Sequence, residues 1–139
     1  MSQQATIIWL KTATVLLIIF GLLGLTGTMA VTLWPSQLFI DLAFWPVDGG
    51  PDGSGPATRL MFGIFGGVLT GWGVLIWLVV TRLYAREPAL ARRMILISVC
   101  SWFVLDSLGS ILSGGAMNAV YNIGFLLMFV IPLWRAPAP

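Results

Sequence analysis

Four long apolar stretches organise this chain, each bounded by charge, proline or glycine. They fall at about residues 8–33, 59–82, 91–112 and 116–134, and crossing a hydrocarbon core takes roughly 20 helical residues. The pattern predicts an all-α integral membrane protein of four transmembrane helices in a compact bundle, one domain over residues 1–139. Within the first stretch, residues 12–33 ("TATVLLIIFGLLGLTGTMAVTL") carry no charge at all. Lys11 and the "TMA" at 28–30 also outline a secretory leader, but the run is too long for a leader's apolar core. The last two stretches are separated only by Ser113, Gly114 and Gly115, which predicts a tight helical hairpin.

The segment after the first span, residues 34–58, changes character halfway. "WPSQLFIDLAFWP" has Trp34, Phe39, Phe44 and Trp45 with a proline near each end, the pattern of a short helix lying in the membrane interface. "VDGGPDGSGPATR" is a turn-rich linker. Its Asp48 and Asp52 lack the spacing and the later bidentate Glu of a calcium loop, so a solvated loop is the reading.

Charge then gives direction. Arg82, Arg86, Arg92 and Arg93 surround the short connection at 83–90 against a single Glu87, whereas the 34–58 segment holds Asp41, Asp48 and Asp52. Under the positive-inside rule the arginine side is cytoplasmic, with Lys11 and Arg135 placing both termini there too. The acidic loop and the "SGG" turn then face the periplasm of a bacterial inner membrane. Arginines at that depth pair with anionic lipid headgroups or with an acidic partner surface.

Composition narrows the chemistry. Hydrophobic residues make up 58% of the chain and charged ones 9%, far below the roughly 25% of soluble domains. A net charge of +2 gives no footprint for nucleic acid. There is no His, and the single Cys100 lies in an apolar run, so no cofactor bound by side-chain metal ligation is expected. A lipid or other amphiphile remains as the expected ligand class.

Two features stand out against this background. Gly63, Gly67 and Gly71, at four-residue spacing with Gly66 and Gly73 nearby, read as a helix-packing face. Its occupant is a neighbouring helix of the same chain, a partner helix or a ligand. Trp72, Trp77 and Trp102 lie deeper than an interfacial belt, where an indole N–H seeks an acceptor.

The second feature is polar. A carboxylate in a span costs about 2.5 to 3.5 kcal/mol on insertion scales, so Asp106 calls for a partner and a role. Asp106 and Ser110 share one helix face, and Asn118 and Asn122 share a face of the next. Folding the chain at Gly114 brings Ser110 level with Asn118 and Asp106 level with Asn122. At 1.5 Å per residue the Asp106 level lies roughly 10 Å from the turn. Tyr121 and Ser107 border this cluster, and Arg59 has a stem long enough to reach toward it.

Three functions compete for the cluster: a hydrogen-bonded lock, a pocket for a lipid, isoprenoid, pigment or other amphiphile, and chemistry or proton transport at Asp106. No His, no second carboxylate within a span and no nucleophile elbow accompany Asp106, which disfavours catalysis. Four short spans, a glycine-rich second helix and an arginine-containing connection together resemble small bacterial inner-membrane proteins of the DoxX-like kind and other four-helix families. The resemblance implies architecture and brings no catalytic or ligand set with it. The leading expectation is a non-catalytic subunit or binding module that packs against a larger membrane complex or a second copy of itself. A lipid, isoprenoid or pigment binder comes second, and a small enzyme or proton-coupled carrier using Asp106 third.

Overall fold

A computed structural model describes residues 1–134, and all regular structure among them is helical. Arg135, one of the charges used for orientation, lies outside the described residues. The elements are α1 (Gln3–Leu25), α2 (Trp34–Ala43), α3 (Pro56–Leu78), α4 (Pro88–Leu112) and α5 (Ala116–Trp134). Four segments are long and apolar enough to cross a membrane: Gln3–Thr28, Pro56–Leu83, Pro88–Leu112 and Ala116–Trp134.

Helix ends follow local chemistry more closely than hydropathy does. α1 begins earlier than its apolar run because Ser2 caps it, the hydroxyl oxygen accepting from the Ala5 N–H at 3.2 Å. Its α-helical part stops at Leu25, and two 3₁₀ turns (Thr26–Thr28 and Ala30–Thr32) around an extended Met29 lead into α2. Pro88 opens α4 at a position that needs no N–H, with Glu87 before it, so the helix begins ahead of the apolar stretch that starts near 91. Gly114, at φ +88°, turns α4 into α5 in a conformation that side-chain-bearing residues rarely adopt.

α1 packs along α3, backbone close to backbone. A Cβ on Gly66 would lie 2.6 Å from the Gly21 carbonyl oxygen and 2.7 Å from the Leu25 nitrogen. One on Gly21 would lie 2.7 Å from the Thr70 nitrogen, and one on Gly73 would lie 2.6 Å from Ile18. Buried positions on α3 are Phe62, Gly66, Leu69, Gly73 and Ile76, alternating steps of four and three.

Of the three occupants open to the Gly63, Gly67 and Gly71 face, a helix of the same chain is not found against Gly67 and Gly71. Gly67 and Gly71 have nothing within 4 Å of an added Cβ, and Gly63 meets only a Thr28 methyl at 3.2 Å. The reason is rotational: each four-residue step advances about 400°, so a 63–67–71 row drifts around the helix by about 40° per step. A seam alternating fours and threes stays in place, and it is Gly66 and Gly73, with Gly21 and Gly24 opposite, that fill it.

The α1–α3 pair meets the α4–α5 pair through two indole N–H groups and a set of rings. Trp9 donates to the Met128 carbonyl at 3.0 Å, and Trp72 donates to the Ser98 hydroxyl oxygen at 2.7 Å. α2 sits across the end opposite the arginine connection. Its Ser36 hydroxyl faces the carbonyls of Leu23 and Gly24, both at 3.4 Å, and Phe44 lies against Gly115 at the hairpin turn.

Substituting Gly66 with Ala forces two backbones apart, a distortion of the kind that costs about 1–3 kcal/mol. Gly67→Ala adds a methyl into open space and stays within about 0.5 kcal/mol of the parent. Thermal unfolding in detergent, followed by circular dichroism, separates the two; equal midpoints for both variants would contradict the close approach.

Candidate functional site

The polar residues of α4 and α5 converge in the half of the molecule covered by α2. Asn122 Nδ2 donates to Asp106 Oδ2 at 2.6 Å and to Ser107 Oγ at 3.3 Å. Asn118 Nδ2 donates to the same Asp106 oxygen at 2.9 Å and to Ser110 Oγ at 2.8 Å. Ser110 in turn donates to the Asp106 main-chain carbonyl at 2.8 Å. Asn122 and Ser107 are buried, whereas Asp106, Ser110 and Asn118 are half-buried. Spacing alone explains the meeting: i and i+4 residues on each helix share a face, and the Gly114 turn sets the two faces opposite one another.

Arg59 is placed elsewhere. The donors to the Asp106 carboxylate are the two asparagines, and Arg59 lines a separate groove with Thr28, Pro56, Leu60, Gly63 and Ile64. Its buried Nε has no hydrogen-bond partner. Arg59 sits in the first turn of α3, on the side that meets Thr28, so a shared depth with Asp106 did not bring the two together.

Beside the polar cluster is a cavity of about 160 Å³. Asp106, Asn118, Tyr121 and Asn122 form its polar wall. The remaining walls are Leu17, Phe20, Phe39, Phe65, Leu69, Trp102 and Phe125, contributed by every helix including α2. The rings contact one another in sequence. Phe39 stands 5.4 Å from Phe20, Phe20 stands 5.2 Å from Phe125, Phe125 stands 6.2 Å from Trp102, and Trp102 stands 5.7 Å from Trp72. Such separations are those of offset and edge-to-face aromatic pairs. The cavity has an apolar body and a wet-chemistry end, the usual composition of a small-molecule site.

Sequence reasoning did not single out Phe20, Phe65 or Phe125, and read Phe39 as an interfacial anchor, whereas it points inward. Inside an apolar run a Phe is equally at home against lipid or against another ring. The one available signal was depth, because these rings lie away from the span ends where interfacial aromatics gather.

Two groups outside the spans have shifted acidity. Asp52, fully exposed in the loop, is held below the usual carboxylate range by the Ser54 hydroxyl and then by the Ser54 N–H. Tyr84, beyond α3 at the arginine end, is pushed up by burial, with Arg92 pulling the other way. The loop itself hangs on α2: Asp41 accepts from the N–H groups of Asp48 and Gly49, and Gln37 accepts from Gly53 and donates to the Pro51 carbonyl. That fastening keeps Phe39 of α2 over the cavity.

Comparison with protein-family models, curated proteins and solved structures finds no match.

Asn122→Leu leaves Asp106 with one donor fewer and is expected to lower stability by about 1–3 kcal/mol. Asp106→Leu combined with Asn122→Leu removes both partners, and is expected to cost clearly less than the sum of the single changes. A double-mutant cycle on unfolding free energy in detergent reads the coupling; strictly additive effects would mean that the two side chains do not interact.

Proposed function

We propose that this chain is a non-catalytic membrane protein that holds a small amphiphile between its helices, with the headgroup at Asp106, Asn118, Asn122 and Tyr121. One observation carries the reading: the polar cluster opens onto a ring-lined cavity instead of being sealed by its own helices. A lock alone requires the hydrogen bonds but no space beside them. A volume near 160 Å³ admits the head or ring of an amphiphile, since a cavity of roughly 150 Å³ holds one aromatic ring. A longer tail extends beyond it.

The orientation that accords with charge is a bacterial inner-membrane one. Arg82, Arg86, Arg92 and Arg93, with the N-terminus and Lys11, cluster at one end, and the arginines drive that end to the cytoplasm. The cavity and α2 then belong to the periplasmic half. Reporter fusions decide this: alkaline phosphatase joined at Gly50 is expected to be active and at Ala85 inactive, and the reverse pattern would invert the topology.

A second reading has its own observation. Gly67 and Gly71 form an unfilled strip on α3, the kind of surface along which another transmembrane helix packs closely. It supports a role as a subunit of a larger membrane assembly or of a homo-oligomer, and is compatible with ligand binding.

Purification in mild detergent followed by organic extraction and mass spectrometry tests the ligand reading. Wild-type protein is expected to carry a near-stoichiometric amphiphile, and Phe125→Trp, which fills the cavity from its wall, is expected to lose most of it. Protein that folds normally and yields no bound small molecule from its native membrane would sink the proposal.

A further inference from the structure

The hydrogen-bonding capacity left over at the polar wall selects among headgroups. A side-chain amide has two N–H donors and one carbonyl acceptor, and a carboxylate has acceptors only. Both N–H groups of Asn118 are spent, on Asp106 Oδ2 and Ser110 Oγ. Both N–H groups of Asn122 are spent, on Asp106 Oδ2 and Ser107 Oγ. The Ser110 hydroxyl donates to a main-chain carbonyl. What these residues have left is acceptor capacity: the carboxylate's other oxygen and the two amide oxygens. Among the side chains lining the cavity, only the Tyr121 hydroxyl and the Trp102 indole carry further donors.

Charge points the same way. Among the described residues no Lys or Arg lines the cavity, and Arg59 lies in a different groove. The wall therefore has a carboxylate without a cationic partner, facing a body of six aromatic residues: Phe20, Phe39, Phe65, Trp102, Tyr121 and Phe125. Aromatic faces attract a cation, more strongly where water is displaced. A carboxylate in a low-dielectric setting gains most from a donor that also carries positive charge.

Resting on the ligand-binding reading above, we propose that the cavity takes a protonated organic amine: an ammonium that donates to Asp106 and the asparagine oxygens, on a ring or short apolar body seated among the Phe and Trp rings. Other headgroups fit worse. An acceptor-only head such as a ketone, quinone or ester sets lone pairs against lone pairs. A carboxylate or phosphate meets Asp106 as a like charge. A neutral alcohol donates one hydrogen bond but leaves the charge unmatched.

Three probes of one shape separate these cases: 2-phenylethylamine, which is an ammonium ion at neutral pH, the neutral 2-phenylethanol, and the anionic phenylacetate. Each is titrated by calorimetry into the full chain in a non-ionic detergent, with Phe125→Trp as the cavity-filled control and Asp106→Asn as the charge-removed variant. The amine is expected to bind at least about tenfold more tightly than the alcohol, in line with a charge-assisted hydrogen bond, and phenylacetate not at all. Asp106→Asn should erase that preference, and Phe125→Trp should weaken every probe.

Alcohol binding as tight as amine binding, abolished by Phe125→Trp, would overturn the amine assignment and keep the cavity as a ligand site. Tighter phenylacetate than amine would overturn it likewise. Absence of saturable binding by any probe, or binding indifferent to Phe125→Trp, would overturn the amine assignment and the ligand-binding reading together. The probe series on the wild-type chain distinguishes these outcomes even if Asp106→Asn fails to fold.

Discussion

Backbone meets backbone where α1 crosses α3, and the rest of the molecule is arranged around that contact. In hydrocarbon, apolar side chains gain little by leaving lipid for one another, so association depends on packing and on hydrogen bonds. Gly21, Gly24, Gly66 and Gly73 bring the two helices close enough for main-chain atoms of each to touch the other. Such a seam leaves no room for a ligand between α1 and α3. It also lets Phe20 and Phe65, which flank it, project as a pair at 6.0 Å toward the remaining helices.

The α4–α5 hairpin is joined by a different interaction. Here two asparagines clasp a carboxylate, and the hydroxyls of Ser107 and Ser110 complete the amides' donor needs. One pair of helices is thus held by the absence of side chains and the other by polar side chains. Between them the filling is rings, paired edge to face or tilted. A cavity at this junction, with the clasp as one wall, follows from joining two dissimilar pairs.

Much of this was legible in the sequence. The number of helices long and apolar enough to cross a membrane, the hairpin at Gly114, the helix at Trp34–Ala43 and the facing of Asp106 with Asn118, Asn122 and Ser110 all follow from period, turn chemistry and helix rise. What was not legible depended on rotation about helix axes. Which glycines meet α1 is a matter of about 100° of rotation: Gly66 and Gly73 do, Gly67 and Gly71 do not, and hydropathy in an all-apolar run has no polar face to tell them apart. Pairing Arg59 with Asp106 rested on depth alone and fails for the same reason. Phe20, Phe65 and Phe125 went unmarked because lipid and core ask for the same residue.

Pro132 shows how strictly the apolar setting enforces completeness. A proline inside α5 has no N–H, so the carbonyl four residues earlier, that of Met128, loses its helical donor. In water a solvent molecule would replace it; in a helix apolar enough to cross a membrane the chain does best to provide its own. The donor is the indole of Trp9, from the opposite end of the sequence, at 3.0 Å. Joining α1 to α5 and repairing the proline's gap are therefore one interaction. The same rule, applied at Asp106, accounts for partners that come from α5, the amides of Asn118 and Asn122.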